Sequence, residues 1–234
     1  MRKLHLWLSL PFGIIFSIIC FTGAILTFEQ EITRMISPQQ QQNTSVIESS
    51  HVSNQQQLKG NRHRQRLPFF EGVLKLHRWF FDAPQKRGAM SAGKMVVGVS
   101  TMLMLVVVIS GIILWVPANV KALKNRLSIK FNRGWRRFVY DSHVSLGIYA
   151  SLIIIIMGLT GLTWSFSWWR EGFVALFSNL VEPSNMKMFI YGLHTGAWGG
   201  ITSKILYFFA SLCGAIFPIS GYYLWIKRVY RTSK

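Results

Sequence analysis

Four apolar stretches, each close to the length that crosses a lipid bilayer, constrain this chain more than any other feature. They are Leu6–Phe28, Gly93–Val116, Val144–Phe166 and Ile201–Ile226, and none of them contains Asp, Glu or Arg. A helix of about 20 apolar residues crosses a hydrocarbon core of about 30 Å. Buried helices of a soluble enzyme would need far more polar sequence to cover them. We therefore predict an all-α integral membrane protein with a bundle of four transmembrane helices.

A cleaved signal peptide is an alternative for the first stretch, because the basic residues Arg2 and Lys3 precede its apolar run. Its apolar run is longer than a typical signal-peptide core, and no A-x-A-like cleavage site follows it. We expect it to be a retained helix.

The basic residues are concentrated in segments between the apolar stretches. The net charge is +18; Pro117–His143 holds seven Lys or Arg residues, whereas Ser167–Ser203 holds only Arg170 and Lys187. By the positive-inside rule, both termini and the middle loop are predicted to be cytoplasmic. The first outer loop is basic as well, but long loops cross largely regardless of charge. Topology explains the charge, so we predict membrane lipid and no nucleic acid as partners.

These patterns divide the chain into segments. Pro38–Arg66 is rich in Gln, Asn and Ser and is predicted to be disordered, so we expect no functional role for His51 and His63 within it. The predicted segments are a first transmembrane helix (1–36), a low-complexity outer loop (37–66), a second transmembrane helix with its outer lead-in (67–118), a basic cytoplasmic loop (119–142), a third transmembrane helix (143–170), an outer loop (171–200), and a fourth transmembrane helix with a basic tail (201–234).

The two halves of the chain resemble each other. A shift of 138 positions (143 minus 5) places His5 on His143 and Thr22-Gly23 on Thr160-Gly161. A shift of 110 positions (220 minus 110) places Ser110-Gly111 on Ser220-Gly221. The bundle is therefore predicted to consist of two repeated helical hairpins, related by a pseudo-twofold axis along the membrane normal.

Small residues share a helix face with each leading histidine. Positions +4, +15 and +18 from the histidine lie within about 60° of it at 100° per residue. Small residues admit either a flat molecule or a neighbouring helix, and helix packing alone is the alternative for the glycines. The glycines predicted to line a cofactor are Gly23, Gly111, Gly147, Gly158, Gly161 and Gly221.

Four histidines stand at predicted membrane boundaries. His5 and His143 begin the first and third helices on the cytoplasmic side, and His77 and His194 precede the second and fourth on the outside. Zinc usually takes four protein ligands, or three and a water, whereas haem iron takes two axial ligands and four from its macrocycle. Two imidazoles at each level therefore predict haem, with these four histidines as iron ligands.

Basic side chains near each level could pair with haem propionates. Arg137 on the inside and Arg78 on the outside are the residues predicted to do so, although positive-inside charge or interfacial snorkelling explains any single one of them better. The cytoplasmic loop is too short for a flavin or nicotinamide domain, and the sequence has no nucleotide-binding fingerprint. The predicted electron donor is a quinol or a separate reductase.

The ordered set of motifs resembles the PepSY-associated transmembrane family, which includes iron-regulated membrane proteins and siderophore reductases of bacterial inner membranes. The resemblance implies b-type haems on membrane histidine pairs, and reduction of ferric iron or a ferric chelate on the periplasmic side. His5, His77, His143 and His194 occupy the family's motif positions. The matching pieces are KLHLWLSLPFGIIFSIICFTGAILTFEQEI, LKLHRWFF, VVGVSTMLMLVVVISGIILWVP, DSHVSLGIYASLIIIIMGLTGLTWSF, GLHTG and KILYFFASLCGAIFPISGYYLWIKR.

The chain departs from the larger members of that family, which carry PepSY domains in the first outer loop. Here that loop is short and much of it is low-complexity. Two other functions stay open at this point. One is a non-catalytic PepSY-type membrane subunit that assists a transporter or regulates a peptidase. The other is a transmembrane b-type cytochrome with an acceptor other than iron.

Overall fold

The computed structural model of the protein describes residues 1–36, 66–86 and 89–232. The predicted low-complexity loop, apart from its last residue, lies outside the described residues, as do His51 and His63. Within these ranges the chain forms nine α-helices, which are α1 (Arg2–Thr27), α2 (Glu29–Ile36), α3 (Pro68–Trp79), α4 (Ala92–Trp115), α5 (Val120–Leu127), α6 (Trp135–Ser165), α7 (Ser167–Phe177), α8 (Pro183–Thr195) and α9 (Gly200–Thr232).

In the described part of the chain, four helices are long and apolar enough to cross a membrane: α1, α4, α6 and α9. Only about a third of each apolar window is buried against the rest of the protein. Large apolar side chains such as Trp7, Phe21, Leu152 and Ile219 face outward, which suits a lipid solvent and not water. The predicted all-helical membrane protein with four such helices is thereby confirmed.

The four long helices form a closed bundle in which α1 and α6 each pack against both α4 and α9. Each of the four long helices contributes side chains to one apolar core, for example Phe16 of α1, Met104 of α4, Ile154 of α6 and Ala210 of α9. The helices alternate in direction, because the start of α1 contacts the end of α9 and the end of α4. We call the end of the bundle that holds the start of α1 the first end, and the other the opposite end.

The third membrane helix starts earlier than the sequence suggested. Gly134 has a positive φ of 79° and precedes α6, whose first turns carry an ion pair between Arg137 and Asp141. Because α6 begins at Trp135, His143 lies more than two turns inside the helix and not at its start. The third long helix therefore begins before the apolar stretch that identified it.

Two charged side chains hold the ends of the long helices. The Arg126 guanidinium of α5 donates to the carbonyl oxygens of Leu114 (2.9 Å) and Trp115, which have no partner within α4. At the opposite end Lys204, which is only 8% exposed, donates to Glu31 at 2.6 Å and so fixes α2 against α9. Burial alone would raise the pKa of Glu31, but the Lys204 ammonium lowers it below its ordinary value.

A tight corner turns α3 back onto the bundle and into α4. Phe80 and Phe81 have positive φ values of 48° and 67° at the end of α3. Asp82 then accepts a hydrogen bond from the Gly93 amide at 2.8 Å, at the start of α4. A methyl group at Gly93 would overlap the backbone carbonyl of Trp79, so only glycine lets the two helices approach this closely.

We predict that Gly93→Ala destabilises the corner between α3 and α4. The obstacle is backbone and cannot rotate away, so the free energy of unfolding should fall by roughly 1–3 kcal/mol. Gly72→Ala, at a position of α3 with nothing within 4 Å, is the matched control and should leave stability unchanged or slightly raised. Thermal unfolding in detergent, followed by circular dichroism, measures both; equal midpoints for the two variants would contradict the prediction.

Candidate functional site

The four predicted ligand histidines occupy the two ends of the bundle in pairs. At the opposite end the rings of His77 and His194 face each other, with centroids 6.2 Å apart and planes inclined by 59°. At the first end His5 lies against Ser110 of α4, and His143 lies against Ser220 of α9. The structure therefore brings His77 and His194 into contact and places His5 and His143 at the same end of the bundle.

Short helices carry the histidines of the opposite end. Both α3 and α8 have proline at the first turn (Pro68 and Pro183), where a missing N–H costs nothing. Both end at a residue in the left-handed conformation, Phe80 or Gly196. These signals give two helices of similar length that place a histidine in the last turn, against the long helices α1 and α6.

Each imidazole at the opposite end is held through its Nδ1 atom. His77 Nδ1 lies 3.0 Å from both the Thr22 hydroxyl and the Ile19 carbonyl oxygen. His194 Nδ1 lies 3.2 Å from the Thr160 hydroxyl and 2.9 Å from the Met157 carbonyl oxygen. Carbonyl oxygens only accept, so both Nδ1 atoms carry the proton.

The threonine hydroxyls agree with this assignment. Thr22 donates to the Ile18 carbonyl at 2.7 Å, and Thr160 donates to the Ile156 carbonyl at 2.6 Å, both within their own helices. Each hydroxyl proton is thus already committed, and the oxygen is left to accept from Nδ1–H. The assignment rests on this hydrogen-bond network. It leaves the Nε2 lone pair of each ring available to a ligand.

The first end repeats the arrangement with serines. His5 Nδ1 lies 3.0 Å from the Ser110 hydroxyl and 3.1 Å from the Val107 carbonyl oxygen. His143 Nδ1 lies 2.7 Å from the Ser220 hydroxyl. Both serines donate to a carbonyl three residues earlier in their own helices, at 2.7 and 2.8 Å. All four imidazoles therefore present a free Nε2, the form in which neutral histidine binds metals.

A glycine follows each of these hydroxyl residues and makes room for the histidine ring. A Cβ on the glycine would meet the ring atom Cε1 at distances that range from 3.1 to 4.0 Å, and the shorter ones are too tight for a side chain. The pairs of glycine and histidine are Gly23 with His77, Gly161 with His194, Gly111 with His5, and Gly221 with His143.

The other two predicted glycines do not contact a histidine. A Cβ at Gly158 would lie 2.8 Å from a methyl group of Leu105, so this glycine serves the packing of α6 against α4. Gly147, one turn beyond His143, has nothing within 4 Å of its Cβ position. Of the six small residues, one packs helices together and one borders open space.

Burial keeps the imidazoles of the opposite end neutral. Removal from water, with a smaller contribution from the Arg78 charge, lowers the pKa of His77 and His194 to about 4. For His194, the neighbouring His77 ring also contributes to the lowering of the pKa. At neutral pH both rings are uncharged and ready to bind a metal without first losing a proton.

The two predicted propionate partners differ in their surroundings. The Arg78 guanidinium lies 4.8 Å from the ring of Trp79 and pairs with no carboxylate in the described ranges. Burial and the charge of Arg66 lower the pKa of Arg78. Arg137 instead pairs with Asp141 at 2.9 Å on its own helix. Arg78 therefore offers an uncompensated charge beside His77, whereas the charge of Arg137 is already balanced.

The donor set at the opposite end fits a group that needs two protein ligands. Among the residues the structure describes, no cluster of three or more His, Cys, Asp or Glu side chains converges. Two metal–nitrogen bonds of about 2 Å, with roughly 1 Å from each Nε2 to its ring centre, separate two ring centroids by about 6 Å. The observed separation of the His77 and His194 centroids, 6.2 Å, is of this size.

Sequence reasoning missed two further features of the site. The hydroxyl groups of the Ser-Gly and Thr-Gly pairs were visible in the internal repeat, but only their small size was considered. The edge-to-face contact of Trp164 with His194, at 5.0 Å, has no counterpart in the repeat and gave no sequence signal. A cavity of about 490 Å³ lies beside α2 and is lined by Ala24, Phe28 and other apolar residues, not by the histidines.

Comparison with known proteins gives one match. A family model described as the PepSY-associated TM region matches residues 2–70, 48–188 and 182–228, which together span almost the whole chain. No curated protein and no solved structure matches the chain.

The lowered pKa values of the opposite-end histidines predict a pH dependence of stability. In the unfolded chain histidine binds a proton near pH 6.5, but His77 and His194 do so only near pH 4 in the folded protein. The unfolded state binds more protons between these values, so stability should fall as the pH drops from about 6.5 toward 4. Melting temperatures of cofactor-free protein between pH 7.5 and 4.5 measure this.

His77→Gln and His194→Gln provide the control, because glutamine does not titrate. Each variant should lose part of the decline seen in the parent protein. A parent protein whose melting temperature follows the same curve as the two variants would contradict the prediction.

Proposed function

The chain belongs to the PepSY-associated transmembrane family, and we propose that it is a haem b-containing electron-transfer protein of the bacterial inner membrane. In this proposal it passes electrons outward to reduce ferric iron or a ferric siderophore during iron acquisition. The observation that carries the proposal is the common environment of four histidines. Each Nδ1–H is held by a hydroxyl group, so that each Nε2 is free for iron.

His5 and His143 would hold one haem at the first end, and His77 and His194 a second at the opposite end. A bound haem would supply an iron atom that takes up and releases one electron. The chain's part is to orient the imidazoles, to keep them neutral and to exclude water. Hydrogen bonds that Nδ1–H donates make imidazole a stronger ligand and fix its ring orientation, which supports this role. Arg78 is the better placed of the two arginines to pair with a propionate.

The distance between the two ends favours a transmembrane electron path. The His77 ring contacts Ile19 and Gly23 on the same helix that carries His5. The distance along α1 from His5 to Ile19 or Gly23 is therefore roughly 20–27 Å, at a rise of about 1.5 Å per residue. With one haem, an electron would have to cross most of the bilayer without a carrier. With two haems, the path is divided into shorter steps.

The direction of transfer follows from the proposed orientation. The start of α1, the end of α9 and the basic segment with α5 lie at the first end, which the positive-inside rule assigns to the cytoplasm. Outward electron movement is then favoured by about 2.3 kcal/mol for each 100 mV of inside-negative potential. Electrons would enter at the first end from a quinol or a separate reductase and leave at the opposite end.

The arrangement of contacts also supports the proposal of two repeated hairpins. His5 of α1 is held by Ser110 of α4, and His143 of α6 is held by Ser220 of α9. The short helices α3 and α8 carry the second histidine of each half. A pseudo-twofold axis through the bundle would relate the halves and would place one histidine from each half at each level.

The first test is the absorption spectrum of the purified protein, oxidised and after reduction with dithionite. We expect a Soret band and b-type bands, with two haems for each chain. His143→Ala and His77→Ala should each lose about half of the haem. His51→Ala, a histidine outside the described residues with no expected role, is the control. The absence of a Soret band in the parent protein would refute the proposal.

The acceptor requires a separate measurement. Protein reduced with dithionite, then freed of it, should be reoxidised rapidly by ferric citrate or a ferric siderophore in anaerobic stopped-flow experiments. His77→Ala should slow this reaction at least tenfold, since the exit site is lost. Haem that ferric chelates do not reoxidise would identify a cytochrome with another acceptor.

The glycines that contact the histidine rings should matter for haem binding. Gly161→Ala would push a Cβ to 3.1 Å from Cε1 of His194, so the ring must move by a few tenths of an ångström. We expect a severalfold weaker retention of one haem, seen as haem lost during dilution and gel filtration. Gly172→Ala, with nothing within 4 Å, should retain haem like the parent protein. Equal retention in the two variants would argue against this role of Gly161.

A further inference from the structure

The four histidines differ in how many acceptors hold their Nδ1–H groups. His5, His77 and His194 each have two acceptors, a hydroxyl and a backbone carbonyl oxygen. For His143, the structure places only the Ser220 hydroxyl within hydrogen-bond distance of Nδ1 among the described residues. This bond is also the shortest of the set, at 2.7 Å.

The packing around His143 is looser as well. A Cβ at Gly221 would lie 4.0 Å from Cε1 of His143, whereas the corresponding distances at the other three rings are 3.1 to 3.3 Å. The Phe217 ring contacts the imidazole edge-to-face with centroids 5.4 Å apart. Gly221 and Phe217 belong to the same helix as Ser220, so one face of α9 surrounds this side of the ring.

From this difference we propose that Ser220 is the positioning residue that alone fixes the protonation and orientation of His143. The hydroxyl proton of Ser220 is committed to the Phe217 carbonyl at 2.8 Å, so the oxygen accepts from Nδ1–H. Without that oxygen, no acceptor within hydrogen-bond distance among the described residues favours the Nδ1–H tautomer of His143. For His5, His77 and His194, a backbone carbonyl oxygen still accepts from Nδ1–H when the hydroxyl is removed, so the Nδ1–H tautomer stays favoured.

The consequence for electron transfer rests on the proposed function. A hydrogen bond from Nδ1 increases the electron donation of imidazole to a metal, which stabilises the ferric more than the ferrous state. Loss of the Ser220 hydroxyl should therefore shift the reduction potential at the first end to more positive values. Loss of the Ser110 hydroxyl should shift it less, because the Val107 carbonyl still accepts from His5.

Three variants test this assignment. Ser220→Ala removes the hydroxyl group, Ser220→Thr keeps it, and Ser110→Ala removes the hydroxyl that holds His5, the corresponding histidine. The first measurement is the nitrogen-15 spectrum of labelled histidine in protein made without a haem supply, with the signals assigned through His143→Gln and His5→Gln. It reports which ring nitrogen carries the proton, and it does not depend on haem.

We expect Ser220→Ala to lose the Nδ1–H form of His143, Ser220→Thr to keep it, and Ser110→Ala to leave His5 in the Nδ1–H form. An unchanged His143 signal in Ser220→Ala, or equal changes in Ser220→Ala and Ser110→Ala, would overturn the proposal. If Ser220→Ala does not fold, loss of the Nδ1–H form in Ser220→Thr, which keeps the hydroxyl group, would overturn the proposal.

The second measurement is a spectroscopic redox titration of the haem-loaded protein. Ser220→Ala should move one of two midpoint potentials upward and leave the other in place, and Ser110→Ala should move it less. Equal shifts would overturn the proposed difference. Protein without haem in every variant would refute the proposed function, but the nitrogen-15 result would still decide the role of Ser220.

Discussion

Hydrogen bonding in a medium without water is the constraint on which the rest of this structure depends. Inside a bilayer every polar group needs a partner within the protein. The serines and threonines that hold the histidines meet this need by donating to carbonyl oxygens of their own helices, and their oxygen atoms then accept from histidine. This order of donors fixes the imidazole tautomer without any charged residue. A carboxylate in the same place would bring a charge into the low-dielectric interior and would itself need a partner.

Small residues have two uses in this bundle, and only the structure separates them. Gly158 faces a leucine of the neighbouring membrane helix, so it allows close helix packing. Gly23 and Gly161 face histidine rings that arrive on short helices. Both uses give the same sequence pattern, a small residue at helical spacing. The neighbouring hydroxyl residue distinguishes them here: the glycines that meet an imidazole follow Ser or Thr, whereas Gly158 follows Met157.

The sequence predicted the four membrane helices because length and polarity alone decide them, and it grouped the histidines because the internal repeat pairs them. It did not predict the short helices α3 and α8, since neither is apolar enough or long enough to give a membrane signal. The early start of α6 was also missed, because Arg137 and Asp141 are polar although they satisfy each other. Lys204 lies inside the fourth apolar stretch, and only tertiary contact with Glu31 explains it. Contacts between distant segments decide each of these features, and no local pattern encodes them.

The division of contacts between the two halves of the chain links folding to the completion of the sites. Each histidine is held by a hydroxyl from its own half: α4 holds the histidine of α1, and α1 holds that of α3. In the second half α9 holds the histidine of α6, and α6 holds that of α8. One half can therefore prepare one imidazole at each end, but a pair arises only when α1 packs on α9 and α4 packs on α6. A metal-centred group that needs two imidazoles would stabilise this association, because it binds the assembled bundle and not the separate halves.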